Sequence, residues 1–410
     1  MPASDDTTDT DNKASYHKIT DGPLTPRKSA THVIHTGRDP SQQHGFVNPP
    51  VYRGSTVIFP TVESLHKKNQ PYTYGRRGTP TVRALEQAIA ALEGGVESRL
   101  TASGYQAVTT ALLAFVEAGD HILVTDSVYQ PTRQFCDYHL KRLGVETQYY
   151  DPLLGGNISK LIRPNTRLIF TESPGSQTFE MQDIPAIAGV AREKKLWLIM
   201  DNTWASPLFF KPFQHGVDVS IQACTKYIVG HADAMLGAIT SNSRAAKHIE
   251  LSAGTLGVCP GSEETFLGLR GLRTLDVRLK RHEASGKEVA AWLAKRPEVA
   301  RVLHPALPSD PGHALWARDF LGASGLFSII LKPASERAVA AMLDGLKLFG
   351  MGYSWGGFES LVIPFDPSSY RTATPWNTAG QALRFHIGLE DVCDLLADLE
   401  AGFARLKSNA

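Results

Sequence analysis

Two polar residues of this chain follow successive apolar segments. Asp201 comes directly after the apolar residues 196–200, and Lys226 comes after the next apolar segment, residues 217–221. A carboxylate at the end of a buried strand is costly unless a cation meets it. Taken alone, such an Asp is more often a helix cap or turn residue, and such a Lys is more often a solvated surface residue. Taken together, they suit a lysine that forms an imine with an aldehyde cofactor and a carboxylate that pairs with a pyridinium nitrogen.

Two other segments carry groups that suit a phosphate. Thr101-Ala-Ser-Gly-Tyr105 precedes a predicted helix over residues 106–118, and the backbone N–H groups at a helix start attract anions. A Ser that caps the helix is the simpler interpretation of this segment by itself. A nucleophile elbow is excluded because Thr101 stands where that motif needs its first Gly. Tyr74-Gly-Arg-Arg-Gly78 offers a phenol and guanidinium groups for a phosphate, and the alternative is a basic surface turn.

The C-terminal part of the chain carries a third group of candidates. Arg384 lies among apolar residues in a predicted strand, where it either faces solvent or grips a carboxylate. Upstream, Tyr353-Ser-Trp-Gly-Gly-Phe358 is a loop in which the two glycines permit unusual dihedral angles. Trp355 in this loop either contacts a ligand or only packs. His231-Ala-Asp233 is too short for a metal site, so no metal is predicted.

The elements around these residues alternate between helix and strand. Residues 121–125, 167–171, 196–200 and 217–221 read as buried strands separated by helical stretches, which predicts a parallel sheet with both faces covered. The chemistry of such sheets gathers beyond the carboxyl ends of the strands. Residues 263–281 read as a helix leading into a connector. After residue 296 the pattern is α+β, with strands over 325–331 and 382–387, a helix over 336–346, and an amphipathic last helix over 392–406.

Length and composition set the outer limits. A chain of 410 residues predicts at least two domains, and 42% hydrophobic with 20% charged residues is average globular usage. A net charge of +1 opposes nucleic acid and anionic membranes as partners, and no apolar run reaches the ~18 residues of a membrane span. The four cysteines form no C-x-x-C pair and indicate free thiols. The acidic start opposes a signal or transit peptide, so residues 1–30 are predicted to be a disordered tail and the cytoplasm is the expected compartment.

Five motifs in order carry a family resemblance: Tyr74-Gly-Arg-Arg-Gly78, Asp201-Asn-Thr-Trp-Ala205, Thr225-Lys-Tyr-Ile-Val-Gly-His-Ala-Asp233, Ser354-Trp-Gly-Gly-Phe-Glu-Ser360 and Arg384-Phe-His-Ile-Gly-Leu-Glu390. From about residue 31 to residue 406 the chain resembles the pyridoxal-phosphate enzymes of cysteine and methionine metabolism, and within them the cystathionine β-lyase branch. The resemblance implies an α/β fold of the aspartate-aminotransferase type (fold type I). We expect an N-terminal arm over 31–85 against a neighbouring subunit, a large cofactor-binding domain over 86–285 with a mostly parallel sheet, and a smaller α+β domain over 286–410.

The resemblance also implies a role for each matching residue. Lys226 holds pyridoxal 5'-phosphate and shuttles protons, Asp201 binds the pyridine nitrogen, and Tyr129 stacks on the ring. The phosphate is bound by the Gly104 and Tyr105 amides and the Thr225 hydroxyl, and by Tyr74 and Arg76 from a neighbouring subunit. The expected assembly is therefore a homo-oligomer, usually a tetramer made of two dimers. Arg384 and the Ser354 backbone clasp the substrate α-carboxylate, with Tyr353 and Trp355 in the same substrate-binding loop.

Within the family, Trp355 and His386-Ile387 favour the β-lyase branch, because γ-acting relatives usually carry Leu and Ser-Val there. Ala223 departs from a Ser that many members use against the phosphate. Gln134 stands where the best-known β-lyases place an acidic residue, which leaves cysteine or other S-substituted cysteines open as substrates. The expected reaction turns cystathionine into homocysteine, pyruvate and ammonia, with Lys226 as base and Lys226 or Tyr129 as acid.

A γ-lyase or γ-synthase, a cysteine-S-conjugate lyase or desulfhydrase, and a non-enzymatic regulatory module are the alternatives. Retention of Lys226, Asp201, Tyr129 and Arg384 together opposes the regulatory module.

Overall fold

The computed structural model describes residues 28–409. Residues 1–27 of the predicted disordered tail, which spans residues 1–30, lie outside the described residues. Its last two residues, Ser29 and Ala30, belong to the first helix, so regular structure begins two residues before the end of that predicted tail.

The described chain contains two β-sheets with helices packed on them. The strands are β1 Glu97–Thr101, β2 His121–Thr125, β3 Glu146–Tyr150, β4 Thr166–Glu172, β5 Trp197–Asp201, β6 Val219–Gln222, β7 Gly237–Ser241, β8 Val299–Leu303, β9 Leu326–Leu331, β10 Leu361–Phe365 and β11 Ala382–His386. The α-helices are α1 Ser29–His35, α2 Val62–Lys67, α3 Pro80–Glu93, α4 Gly104–Leu113, α5 Gln130–Gln134, α6 Ile184–Glu193, α7 Ser206–Phe209, α8 Ala246–Thr255, α9 Ser262–Arg273, α10 Leu275–Leu293, α11 His313–Asp319, α12 Glu336–Asp344 and α13 Val392–Ser408.

The larger sheet has seven strands in the order β1-β7-β6-β5-β4-β2-β3. Strands β3, β2, β4, β5 and β6 pair in parallel, whereas β7 runs antiparallel to both β6 and β1. The four strands predicted for this region are β2, β4, β5 and β6, and every residue of β2 and β6 is buried. Strands β1, β3 and β7 were not predicted from the sequence. The carboxyl ends of β4 and β5 carry Glu172 and Asp201, and Lys226 follows the end of β6.

The smaller sheet is antiparallel throughout, in the order β10-β11-β9-β8. Helices α12 and α13 contribute to a separate core with this sheet, in which Leu395, Leu399 and Phe403 of α13 are fully buried. The amphipathic stripe of the last helix is therefore core, as predicted. Helix α10 runs through the predicted domain boundary between residues 285 and 286 without a break.

Two predicted helices differ from the structure by more than two residues at an end or by a break. Helix α4 begins at Gly104 because the Ser103 side chain caps it by accepting from the Gln106 N–H. It ends at Leu113, before the predicted residue 118, where the Phe115 N–H bonds the Leu112 carbonyl in a tighter turn. The predicted helix 263–281 is two helices, because Thr274 between α9 and α10 has a non-helical backbone (φ −106°, ψ 4°).

None of the helices in residues 28–409 is long and apolar enough to cross a membrane. Within the same residues, no group of three or more His, Cys, Asp or Glu side chains is arranged to hold a metal ion.

Candidate active site

Lys226 lies in the turn between β6 and β7 and is largely buried. Its Nζ donates to the Ser354 hydroxyl over 2.6 Å. Burial, and then the charge of the Arg384 guanidinium, lower the pKa of Lys226 to about 8, although the Asp201 carboxylate acts in the opposite direction. An amine with this pKa is partly neutral near pH 8 and is therefore a nucleophile and a base.

Asp201 is the last residue of β5, and its side chain accepts from the Thr203 backbone N–H over 2.9 Å. Burial raises the pKa of Asp201, while hydrogen bonds from Thr203 and the charge of Lys226 act against that rise. The two residues singled out first in the sequence are therefore close enough to shift one another's pKa. The site holds a carboxylate that lacks full compensation, which a cationic ring nitrogen would provide.

Glu172 is a carboxylate of this site that sequence analysis missed. It ends β4 directly beside Asp201, its register partner on β5. Burial, and then the charge of Asp201, raise the pKa of Glu172 well above its ordinary value, and its side chain accepts from the Tyr129 backbone N–H over 2.8 Å. Glu172 follows an apolar strand just as Asp201 does, so the same argument from strand ends would have found it.

Tyr129 precedes helix α5, and its side chain is 46% exposed. Burial, followed by the charges of Glu172 and Asp201, raises the pKa of its phenol. The phenol therefore keeps its proton at neutral pH. Gln134, which departs from the acidic residue of known β-lyases, is the exposed last residue of α5.

The start of helix α4 is the candidate anion site. The first amides of a helix have no partner within it, and here they belong to Gly104 and Tyr105. Gly104 is required by space, since a Cβ at this position would overlap Ala223 just before Lys226. The Thr225 hydroxyl is bonded to the Leu236 backbone, accepting from its N–H over 2.9 Å and donating to its carbonyl over 3.1 Å. That hydroxyl keeps a lone pair but has no second proton for a phosphate.

The loop before β10 brings a group of predicted substrate residues to Lys226. Arg384 on β11 is buried and donates from Nη2 to the Ser354 carbonyl over 3.0 Å, and burial lowers the pKa of Arg384 to about 10. Ser354 has a left-handed backbone (φ +75°), and the Trp355 ring centroid lies 5.3 Å from Lys226 Nζ. Tyr353 is 88% exposed, and no described contact ties it to Lys226.

Gly356 is a second residue that sequence analysis did not assign. Its φ is +87°, and a Cβ there would lie 2.9 Å from the Lys226 carbonyl carbon. The loop backbone therefore packs directly on the backbone of Lys226, and this close approach requires glycine.

Tyr74 and Arg76 lie apart from this group within the chain. They line a cavity of about 650 Å³ together with Arg77, Arg83 and Arg99, and neither Lys226 nor Asp201 contributes to its walls. The Arg76 guanidinium donates to the Gly254 carbonyl over 2.8 Å.

The grouped residues match the functional groups of pyridoxal phosphate one by one. Lys226 offers an amine with a lowered pKa for the aldehyde, partly buried Asp201 offers a counter-charge for the ring nitrogen, and the start of α4 offers amides for the phosphate. At the carboxyl ends of a mostly parallel sheet, this set defines a pyridoxal-phosphate enzyme of fold type I.

Comparisons with known proteins agree with this class. The family model described as Cys/Met metabolism PLP-dependent enzyme matches residues 30–404. A Rhizobium johnstonii protein named provisionally as a cystathionine β-lyase is 53% identical over 91% of this chain and 95% of its own length. The cystathionine β-lyase MetC of Escherichia coli is 44% identical over 93% of this chain and 100% of its own length.

Two further matches widen the comparison. An L-alanine/L-glutamate racemase of Wolbachia pipientis is 42% identical over 92% of this chain and 98% of its own length. The crystal structure of metB from Corynebacterium glutamicum superposes with a TM-score of 0.87 at 32% identity, covering 93% of this chain and 99% of that one.

The chain belongs to the Cys/Met metabolism family of pyridoxal-phosphate-dependent enzymes, and pyridoxal phosphate is its cofactor. The predicted aspartate-aminotransferase type of fold is confirmed.

Proposed function

We propose that this protein is a carbon–sulfur β-lyase that converts cystathionine and one water molecule to homocysteine, pyruvate and ammonia. The observation that carries the proposal is the 44% identity to the E. coli cystathionine β-lyase across the whole of that enzyme. The presence of Trp355 and His386 at the positions that favour the β-lyase branch supports the same assignment.

The residues around Lys226 divide the work of holding the cofactor and the substrate. When bound, pyridoxal phosphate supplies an electron-accepting ring that stabilises negative charge at the substrate α-carbon. In the proposal Lys226 attaches it, Asp201 keeps its ring nitrogen protonated, Tyr129 covers the ring, and the amides of Gly104 and Tyr105 bind the phosphate. The Thr225 hydroxyl can donate to the phosphate only by turning its proton away from the Leu236 carbonyl.

The substrate α-carboxylate pairs with Arg384 in this proposal. A buried guanidinium grips a carboxylate by two parallel hydrogen bonds, and the bond from Nη2 to Ser354 fixes the plane of the fork. Tyr353 and Trp355 flank the same ligand from the loop. Burial removes part of the water that would solvate the Arg384 charge, and no carboxylate of the described residues replaces it. An anionic ligand is therefore favoured beside Arg384.

Two groups are assigned to proton transfer. Lys226 removes the α-proton, because its pKa of about 8 leaves a useful fraction of neutral amine near neutral pH. Tyr129 donates a proton to the leaving sulfur, because its raised pKa keeps the phenol protonated. Loss of the thiolate then needs no second base in the site.

The test is the product pattern from L-cystathionine with purified holoenzyme. Pyruvate together with homocysteine supports the proposal, whereas 2-oxobutyrate with cysteine identifies a γ-lyase. Formation of cystathionine from cysteine and an activated homoserine identifies a γ-synthase. Pyruvate from cysteine or its S-conjugates, but none from cystathionine, moves the activity to a desulfhydrase or conjugate lyase.

An amino-acid racemase is the second candidate, favoured by the 42% identity to the Wolbachia racemase. Racemisation needs one group that removes the α-proton and one that returns a proton to the opposite face, and the proposal assigns these roles to Lys226 and Tyr129. Incubation of L-alanine in deuterated water tests this: loss of the α-hydrogen signal together with D-alanine formation supports a racemase. A lyase gives pyruvate from cystathionine without converting L-alanine.

The third part of the proposal is a homo-oligomer, a tetramer of two dimers, in the cytoplasm. The N-terminal arm exposes apolar side chains to solvent in the single chain, including Phe46, Val47, Ile58 and Val62. Such exposure in a soluble enzyme is typical of an interface. A neighbouring subunit would bring Tyr74 and Arg76 to the phosphate. Light scattering gives the mass, and complementation between Arg76→Ala and Lys226→Ala chains tests the shared site, since mixed dimers regain one intact site.

A further inference from the structure

Strand β11 holds the loop residues 354–357 at two points. Residues two positions apart on a strand point to the same face, and Arg384 and His386 are such a pair. Arg384 donates to the Ser354 carbonyl over 3.0 Å. His386 Nε2 lies 3.1 Å from the Gly356 nitrogen and 3.1 Å from the Gly357 carbonyl oxygen. The strand therefore grips both ends of the turn.

The bond from His386 exists in either neutral form of its ring. With a bare Nε2 the ring accepts from the Gly356 N–H, and with a protonated Nε2 it donates to the Gly357 carbonyl. His386 is 1% exposed, and burial together with the neighbouring His282 lowers the pKa of His386 to about 3, so the ring stays uncharged at working pH. The connection does not depend on which tautomer is present.

The turn that His386 holds is pressed against the catalytic lysine. Gly356 contacts the backbone of Lys226, and the Ser354 hydroxyl accepts from Lys226 Nζ over 2.6 Å. The Ser354 carbonyl also sets the position of the Arg384 guanidinium. A shift of the turn by a few tenths of an ångström would therefore reach both the lysine and the carboxylate site.

His386 is also packed against the aromatic residues that surround the loop. The Tyr227 ring centroid lies 5.4 Å from that of Trp355 and 6.1 Å from that of His386. His282 lies 5.2 Å from His386, and its Nδ1 donates to the Ile387 carbonyl over 2.8 Å. Trp355 and His386, which both differ from the usual γ-acting residues, are therefore parts of one packed unit.

We propose that His386 is a positioning residue that holds residues 354–357 against Lys226 and keeps the Ser354 carbonyl in place for Arg384. The inference rests on the cofactor and carboxylate site proposed above, and it does not depend on which thioether is the substrate.

The experiment compares His386→Leu and His386→Gln with His304→Leu in the holoenzyme. His304 is the matched control because it is also buried and neutral in the C-terminal part of the chain, but its ring accepts from the Ala306 N–H. Four quantities are measured: the Kd of glycine from the change in cofactor absorbance, KM and kcat for L-cystathionine, and the melting temperature. Glycine carries the α-amine and the α-carboxylate without a side chain, so its Kd reports binding at Lys226 and Arg384 together and excludes contacts to the thioether.

Loss of one buried hydrogen bond predicts a Kd for glycine and a KM about fivefold to tenfold higher in His386→Leu, with kcat changed less than about threefold. His386→Gln should restore both values, because the amide has an acceptor for Gly356 and a donor for Gly357. His304→Leu should lower the melting temperature and leave the Kd of glycine unchanged.

Three results overturn the inference: a Kd for glycine in His386→Leu within twofold of wild type, an equal rise in His304→Leu, or no recovery in His386→Gln. If His386→Leu does not yield folded holoenzyme, His386→Asn replaces it, because its amide is too short to reach the turn. Failure of the wild-type enzyme to cleave cystathionine would refute the proposed substrate, whereas the Kd of glycine would still decide the role of His386.

Discussion

The sharpest test of the site geometry is Gly356→Ala, which adds one methyl group against Lys226. Gly356 has φ +87°, and its new Cβ would lie 2.9 Å from the carbonyl carbon of Lys226, 3.0 Å from its Cα and 3.0 Å from the Tyr227 nitrogen. All three atoms are backbone, so no side-chain rotation can relieve the overlap. The loop or the lysine turn has to move.

The cost follows from two contributions. A non-glycine residue in the left-handed region costs about 1–2 kcal/mol, and forcing a methyl group into a packed site costs about 1–3 kcal/mol. The native state should therefore be destabilised by about 2–5 kcal/mol. Movement of the loop away from Lys226 would also draw the Ser354 carbonyl away from Arg384, so we expect KM for cystathionine to rise about tenfold, equivalent to about 1.4 kcal/mol.

The neighbouring Gly357→Ala is the control. Its backbone is not left-handed, and a Cβ there would meet the Glu359 carboxylate at 2.9 Å and the Ala232 Cβ at 3.3 Å. The carboxylate is the end of a flexible side chain and can turn aside, so we expect a loss of stability below about 1 kcal/mol. Thermal unfolding of the holoenzyme and steady-state kinetics supply the comparison. Equal melting temperatures and equal KM values for the two variants would refute the reasoning.

The remaining predictions concern single groups. Lys226→Ala should remove the absorption band at roughly 420 nm that a lysine-bound cofactor gives, and a surviving band would mean that another amine holds it. Tyr129→Phe should lower kcat about 100-fold or more and leave the cofactor bound, because a positioned acid contributes about 10²–10⁴-fold; an unchanged kcat would remove Tyr129 from proton transfer. Burial raises the pKa of Glu93 from 4.5 to about 7, so between these pH values the folded state binds a proton that the unfolded state has lost. The free energy of unfolding should therefore fall by about 3 kcal/mol as pH rises from 4.5 through 7. Glu93→Gln should remove this contribution to the pH dependence of the free energy of unfolding, measured with urea at a series of pH values, and an identical pH dependence in both proteins would contradict the raised pKa of Glu93.

The residues at the ends of buried strands were predictable because strand ends in a parallel sheet converge on one edge. Asp201 and Lys226 were found in this way, and the structure places them within electrostatic reach of each other. For Arg384 the sequence left two alternatives, a side chain that faces solvent and one that binds a carboxylate. Its burial and its hydrogen bond to the Ser354 carbonyl exclude the first. These inferences needed only local pattern and the geometry of the sheet.

The features that were not predicted depend on contacts between distant parts of the chain. Gly356 and His386 act on Lys226 across more than a hundred residues, and nothing in their local sequence shows what lies opposite them. Strand β7 escaped detection because its short Gly-Ala-Ile-Thr-Ser sequence is defined by its two neighbours. The break at Thr274 likewise follows from tertiary packing, since Arg278 bonds the Thr274 side chain and the Ile228 and Gly271 carbonyls.

The place of β7 in the sheet has a consequence for biosynthesis on the ribosome. Strand β1 is translated early, and its only neighbour among the described strands of the sheet is β7. Strand β1 therefore stays unpaired until translation has passed Ser241. Ser354 and Arg384, which both interact with Lys226, are translated later still. The nascent chain therefore cannot complete the buried setting that lowers the pKa of Lys226 until residues 354 and 384 have been translated.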